Sequence, residues 1–366
     1  MPSSTSSFKT FRLERIIPRH HWVRLALVSL AFTLALTLGW ELYCRHLGYQ
    51  PTLNDTEDLW ASRRVLVDED PTRTVLIGAS RTLFDFDMDV YEKAMGERPL
   101  QLATVGTNPG AYLKDLADHP EFKGTVIVGV VPGLFFAPGG PPVESPKKHF
   151  KRYREWSPTQ RVGHHLGMFL EGQLALLQQD DLTLNQLLLS LKIPNRAKAK
   201  VPPELPPYFY EVDAERQGGM TDIAEKDIKL QKRIQQIWIP LFTPPPPPPG
   251  TTDLENRAQH QKTIDEILEK TKGHVEQIRA RGGKVVFVRF PSTGELRELE
   301  TKYSPRTDTW DRILEVTNAP GIHFEDYPEL SGFDCPEWSH LKKVDATLFT
   351  QRLTALFQKL RSEGRM

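Results

Sequence analysis

Cysteine is almost missing from this 366-residue chain: Cys44 and Cys335 are its only two. They lie far apart and make no disulfide framework, so an exported domain would rest on its apolar core, which a chain of this length can build. A net charge is missing too. Lys and Arg total 47 and Asp and Glu total 47, a balance that argues against a nucleic-acid binder. No internal repeat is evident. His164-His165 has no third ligand at a metal-like spacing, so no metal site is expected, nor any other cofactor. One uncharged run, Leu25 to Trp40, shapes the reading of the N-terminus.

The balanced charge hides an asymmetry. In the first 24 positions Lys9, Arg12, Arg15, Arg19 and Arg24 face only Glu14, a surplus of four positive charges that the remaining chain offsets. Trp22, Trp40 and Tyr43 bracket the uncharged run, and with Arg24 snorkelling to the interface a span over 22–43 is long enough to cross a bilayer. Cations ahead of a span hold the N-terminus inside. A cleaved signal peptide or a lipoprotein site at Cys44 would want small residues where this chain has Trp40-Glu41-Leu42-Tyr43. The sequence therefore predicts a basic cytoplasmic tail (1–21), an uncleaved transmembrane anchor (22–43), a juxtamembrane connector (44–72) with a helical piece at Leu59–Val67, and a domain over 73–366.

That domain alternates apolar runs with amphipathic stretches. Strands are expected at Thr74–Ile77, Leu100–Val105, Thr125–Val131, Lys284–Phe290 and Gly321–Phe324, and helices at Met88–Met95, Ala111–Ala117, Asp253–Arg281 and Asp345–Leu360. Ile264, Ile267, Leu268, Thr271, Val275 and Ile278 share one face of the third helix, which Gly282-Gly283 ends. Five strands in this rhythm predict an α/β fold with a doubly wound, flavodoxin-like parallel sheet, whose ligands sit at the strands' carboxyl ends. A large insertion, 136–252, separates the third strand from the fourth. It holds a leucine-rich helical stretch (Leu166–Leu191) and the run Pro244–Pro249, a stiff polyproline spacer.

Two stretches carry chemistry. Val75-Leu76-Ile77-Gly78-Ala79-Ser80-Arg81 reads as a buried strand ending in a tight turn that presents Ser80 with free backbone N–H groups beside it. Phe333-Asp334-Cys335-Pro336-Glu337-Trp338-Ser339-His340 supplies a base for that serine and an acid, Glu337 or Asp334, to orient the base. Arg81 and Arg289 fall near strand ends, where they could recognise a carboxylate or phosphate or, equally, serve as surface ion-pair residues. Lys147, Lys148, His149, Lys151, Arg152 and Arg154, interleaved with Phe150, Tyr153 and Trp156, read as a solvated loop face. The rival reading is a patch for an anionic polysaccharide or for headgroups.

Taken together, the anchor, the strand ending Gly-x-Ser-Arg, the next strand ending at Gly106 and the Glu-x-x-His-Leu before the last helix resemble the SGNH/GDSL hydrolase superfamily. The similarity extends to its membrane-anchored bacterial members of the alginate O-acetylation and lipoteichoic-acid D-alanylation types, and covers about 73–135 and 284–360. The resemblance implies Ser80 as nucleophile, His340 as base, Glu337 in the acid's place, the Gly106 N–H in the oxyanion hole and Asn108 as the nearest substitute for the family's asparagine donor. Ala79 stands where aspartate is usual, and no asparagine follows the third strand. Losing one such donor costs about 10²–10³ in rate. The expected function is an exported serine esterase or acyltransferase acting on O-acyl, foremost O-acetyl, groups of an envelope or secreted polysaccharide. It would sit in the bacterial inner membrane with most of the chain periplasmic or extracellular, and a membrane acyltransferase fits as partner. The rival expectation is a catalytically inactive scaffold of the same fold in an envelope-polymer assembly complex.

Overall fold

The computed structural model describes residues 21–191, 204–247 and 249–366. Lys9, Arg12, Arg15 and Arg19 of the basic tail, and Pro248 of the proline run, lie outside the described residues. The chain divides into two units, one ending at Leu47 and one running from Gly48 to Met366. In the first, α1 (Trp22–His46) is a 25-residue helix, about 37 Å long at the usual rise per residue. Among the described residues it is the one helix long and apolar enough to cross a membrane.

Among the described residues the second unit, the body, has seven strands: β1 (Val75–Ile77), β2 (Leu100–Gln101), β3 (Thr125–Gly129), β4 (Tyr210–Val212), β5 (Gly218–Met220), β6 (Lys284–Arg289) and β7 (Gly321–His323). Five form an all-parallel sheet in the order β2-β1-β3-β6-β7, while β4 and β5 form a separate antiparallel hairpin. Val75 pairs with Leu100 on one side and Val126 on the other, and Val126 in turn with Val285. These strands read as continuous apolar runs because both faces of the sheet are covered.

Eleven body helices matter here. In chain order they are α2 (Glu57–Glu69), α3 (Ser80–Phe84), α4 (Met88–Met95), α5 (Gly110–Asp118), α6 (Pro146–Glu155) and α7 (Pro158–Glu171). There follow α8 (Ile228–Phe242), α9 (Asp253–Ala280), α10 (Gly294–Tyr303), α11 (Trp310–Thr317) and α12 (Lys343–Ser362). Strand alternation sorts them. Val75, Ile77, Val126, Val128, Val285 and Phe287 join one core with α2, α5, α9 and α11. Leu76, Ile127, Val286 and Val288 join the other with α4 and α12. The α9 stripe is the one its sequence spacing predicts. A capping box of Thr252 and Glu255 opens that helix and Gly282, at φ +87°, follows its end.

Three stretches differ from their sequence reading. Residues 48–72 belong to the body rather than to a loose connector: Trp60 is fully buried and donates to the Leu102 carbonyl at 3.0 Å. Leu166–Leu191 is not one helix. Gly172 caps α7, a 3₁₀ turn follows at Ala175–Leu177, and Thr183 caps a fresh helix at Leu184–Ser190. Residues 147–156, read as a loop face, form α6 instead. Helical spacing turns His149, Phe150 and Tyr153 onto the core, with Trp156 packed beside them, and leaves Lys147, Lys148 and Lys151 outside. The β4–β5 hairpin is locked to the sheet by buried Arg216, which pairs with Asp55 at 2.7 Å and donates to the carbonyls of Gln101 (3.0 Å) and Ala103 (2.9 Å).

Candidate active site

Ser80 sits where β1 runs out. Ile77 ends the strand, Gly78-Ala79 turn the chain, and Ser80 opens α3, partly exposed, at the carboxyl edge of the sheet. Two glycines make this close approach possible. A Cβ on Gly78 would lie 2.0 Å from Thr82 Oγ1, and one on Gly129 1.7 Å from the same atom. The first turn of α3 therefore rests against the ends of β1 and β3 only because both positions lack a side chain.

From the other end of the chain, the loop before α12 brings in His340. Its Nε2 lies 2.8 Å from Ser80 Oγ, and its Nδ1 lies 3.0 Å from Glu337 Oε1. Trp338, at φ +78°, turns the backbone so that the N–H groups of Ser339 (3.2 Å) and His340 (2.6 Å) also donate to Glu337 Oε1. The second carboxylate oxygen, Oε2, accepts the indole N–H of Trp238 from α8. Three of the four groups on Glu337, the N–H groups of Ser339, His340 and Trp238, can only donate, so the carboxylate accepts. An accepting carboxylate at 3.0 Å favours the tautomer with the proton on Nδ1, which leaves the Nε2 lone pair facing the serine hydroxyl.

Burial sets the electrostatics. His340 and Glu337 are fully buried. Desolvation pushes the imidazole below its ordinary 6.5; Glu337 opposes this and nearby Arg81 reinforces it. A neutral imidazole at neutral pH is the form that can take a proton from Ser80. Aromatic rings shield it: the centroids of Phe84 and Phe209 lie 4.8 and 5.2 Å from the His340 ring, with Trp238 at 6.1 Å. Asp85, at the end of α3, accepts the Leu341 N–H at 2.9 Å and so ties the serine helix to the histidine loop. Burial raises its carboxyl well above the usual carboxylate range.

The remaining residues singled out from the sequence fall elsewhere. Asp334 is exposed, and Glu337 alone holds the imidazole. Arg81 and Arg289 are buried and converge on Glu300: Arg81 Nη2 pairs with its Oε1 at 2.8 Å, Arg289 with its Oε2, and Ser292 donates to Oε2 at 2.7 Å. They are corrected from ligand-facing cations to members of a buried ionic cluster. Asn108 spends its side chain locally, donating to the Phe135 carbonyl (2.6 Å) and accepting the Gly110 N–H (2.7 Å). Gly106, at φ +66°, lies in the exposed turn after β2. That turn runs beside the serine loop, since the Thr104 N–H donates to the Gly78 carbonyl at 3.1 Å.

Sequence reasoning missed Trp238, Phe209, Asp85 and Glu300. Asp85 reads as an ordinary helix-end acid, and Glu300 as one of several charges on an amphipathic helix; nothing local marks either. The arrangement as a whole is a serine–histidine–glutamate constellation, with the chemistry of an activated hydroxyl within reach. Neither a family model nor a curated protein matches the chain.

Proposed function

We propose that this chain is a membrane-anchored, exported serine esterase or acyltransferase with an SGNH-like, doubly wound, flavodoxin-like body carrying its insertion at 136–252. Its substrates are O-acyl groups, foremost O-acetyl, on a cell-envelope or secreted polysaccharide. One observation carries the reading: the contacts Ser80 Oγ to His340 Nε2 at 2.8 Å and His340 Nδ1 to Glu337 Oε1 at 3.0 Å, at the carboxyl edge of a parallel sheet. α1, long and apolar enough to cross a membrane, supports a single-pass anchor; the cations ahead of it in the sequence favour a body outside, and a bacterial inner membrane is what the resemblance implies.

In this mechanism His340 Nε2 takes the Ser80 proton as Oγ attacks the acyl carbonyl. The tetrahedral oxyanion is held by the backbone N–H groups of Ser80 and Gly106. Collapse breaks the ester bond, and protonated His340 returns its proton to the departing sugar oxygen, leaving acyl-Ser80. Water or a second sugar hydroxyl, deprotonated by His340, then attacks that ester and restores the serine. Release to water gives an esterase and transfer to sugar an acyltransferase, with a membrane acyltransferase as a fitting supplier of acyl groups.

A second reading, an inactive scaffold in an envelope-polymer assembly complex, is favoured by one observation. Asn108 commits both ends of its side chain to Phe135 and Gly110 and offers nothing to an oxyanion. The O-acetyl content of envelope polysaccharide in cells carrying Ser80→Ala or His340→Ala separates the two. The proposal expects either variant to change it as far as deleting the protein does. Unchanged acylation in both variants overturns it.

A further inference from the structure

We propose that the outward face of α7, with the cations of α6, is a surface that lies on a lipid bilayer bearing anionic headgroups. Val162, Leu166, Phe169 and Leu170 are 60, 62, 69 and 47% exposed, and their spacing sets them in one stripe along α7. A helix on a soluble body normally turns such a stripe inward. Here the inward position is held by Met168, packed against the core cluster that contains Leu59, Leu83 and Phe84, and the larger apolar face looks out. A continuous apolar face of this kind marks a contact site.

Two further observations select a bilayer. The preceding helix, α6, exposes Lys148 and Lys151, which have no acidic partner among the described residues. A Leu/Phe stripe preceded by unpaired cations is the composition of a segment that lies in the interfacial plane of an anionic membrane. Then there is connectivity. α1 ends at His46 and the body begins at Gly48, so a single residue, Leu47, joins a body with an apolar face to a helix able to span a membrane. The inference rests on α1 being inserted, and is independent of the chemistry at Ser80.

The test uses the full chain in nanodiscs of phosphatidylcholine with or without phosphatidylglycerol, with p-benzoylphenylalanine replacing Phe169 or, as control, Leu348 on α12 at the other face of the sheet. Irradiation is followed by mass spectrometry, and thermal melting verifies that each variant is folded. Lipid adducts at position 169 should exceed those at 348 several-fold, rise with phosphatidylglycerol, and fall in the Lys148→Gln, Lys151→Gln double variant. Equal lipid adducts at both positions, or adducts at 169 to a second copy of the chain in place of lipid, overturn the inference. Ser80 reactivity bears on neither result, so this inference and the proposed function fail separately.

Discussion

Trp238 donates its indole N–H to Glu337 Oε2, the carboxylate oxygen that His340 does not use. The donor lies on α8, 99 residues from its acceptor, and Gln235 on the same helix donates to the Pro336 carbonyl at 3.0 Å. The segment between β3 and β6 thus grips the acid that orients the imidazole. Trp238→Phe keeps a ring against Phe209 and removes the N–H. A hydrogen bond to a charged group contributes about 1.5–3 kcal/mol, so serine-probe labelling of Ser80 should slow by about 10- to 100-fold, and the melting temperature should fall by several degrees. Labelling at the wild-type rate would show that Glu337 needs no such support.

Glu337→Gln separates the two acids that the sequence left open. The amide cannot hold the imidazole in the same tautomer, and losses on the order of 10³–10⁴ in reactivity are expected. Asp334→Asn should leave the rate unchanged, since Asp334 is exposed and the imidazole is taken by Glu337. A larger loss at Asp334 would reverse the assignment.

The pH profile follows from the direction of the His340 shift. Burial lowers its pKa below 6.5, so the reactive neutral form persists into mildly acidic solution. The rate of Ser80 labelling should therefore fall on an acid limb with its midpoint below 6.5 and stay level above it. A midpoint above 6.5 would mean that Glu337 outweighs burial.

Gly129→Ala tests the seat of the serine turn. The new methyl would lie 1.7 Å from Thr82 Oγ1 and 3.2 Å from Phe290 Cε2, an overpacking that costs about 1–3 kcal/mol. Urea denaturation measures it. Adding Thr82→Ala removes the closest atom and should recover part of the loss; no recovery would place the strain elsewhere.

Glu300 should matter to stability as much as any residue in the body. Burial pushes its carboxyl up, but Arg289 and Arg81 outweigh this and hold it at about 2, against an ordinary 4.5. A carboxylate depressed on folding stabilises fully above its unfolded value, so this contribution is complete above pH 4.5 and drains as the pH falls toward 2. Glu300→Gln strands two buried guanidinium groups, at a cost of about 3–5 kcal/mol. Its denaturation midpoint should be lower than wild type at pH 7, with the gap narrowing in acid.

The five strands were legible because a parallel strand buried on both faces leaves an unbroken apolar run, as in Val126-Ile127-Val128 and Val285-Val286-Phe287-Val288. β2 was read to Val105, whereas the strand is Leu100–Gln101; beyond it single backbone bonds still reach Leu76 and Gly78, and Arg216 from a distant hairpin takes up the carbonyls of Gln101 and Ala103. That Ser80, His340 and Glu337 lie within hydrogen-bond reach was an expectation open to sequence because turn position and an i, i+3 spacing are local properties. Arg81 and Arg289 were left open between ligand recognition and a surface ion pair because sequence shows a charge near a strand end without its partner; the partner is buried Glu300 on α10. Trp238 and Phe209 had no local signal, because their meaning comes only from the fold that sets them beside His340.

The most direct measurement is labelling of the folded full chain with a fluorophosphonate probe, read by intact mass and peptide mapping. The account predicts one adduct, on Ser80, formed rapidly in the wild type, absent in Ser80→Ala and at least a hundred-fold slower in His340→Ala. A folded wild-type protein in which Ser80 stays unmodified, or is modified equally fast without His340, would contradict it.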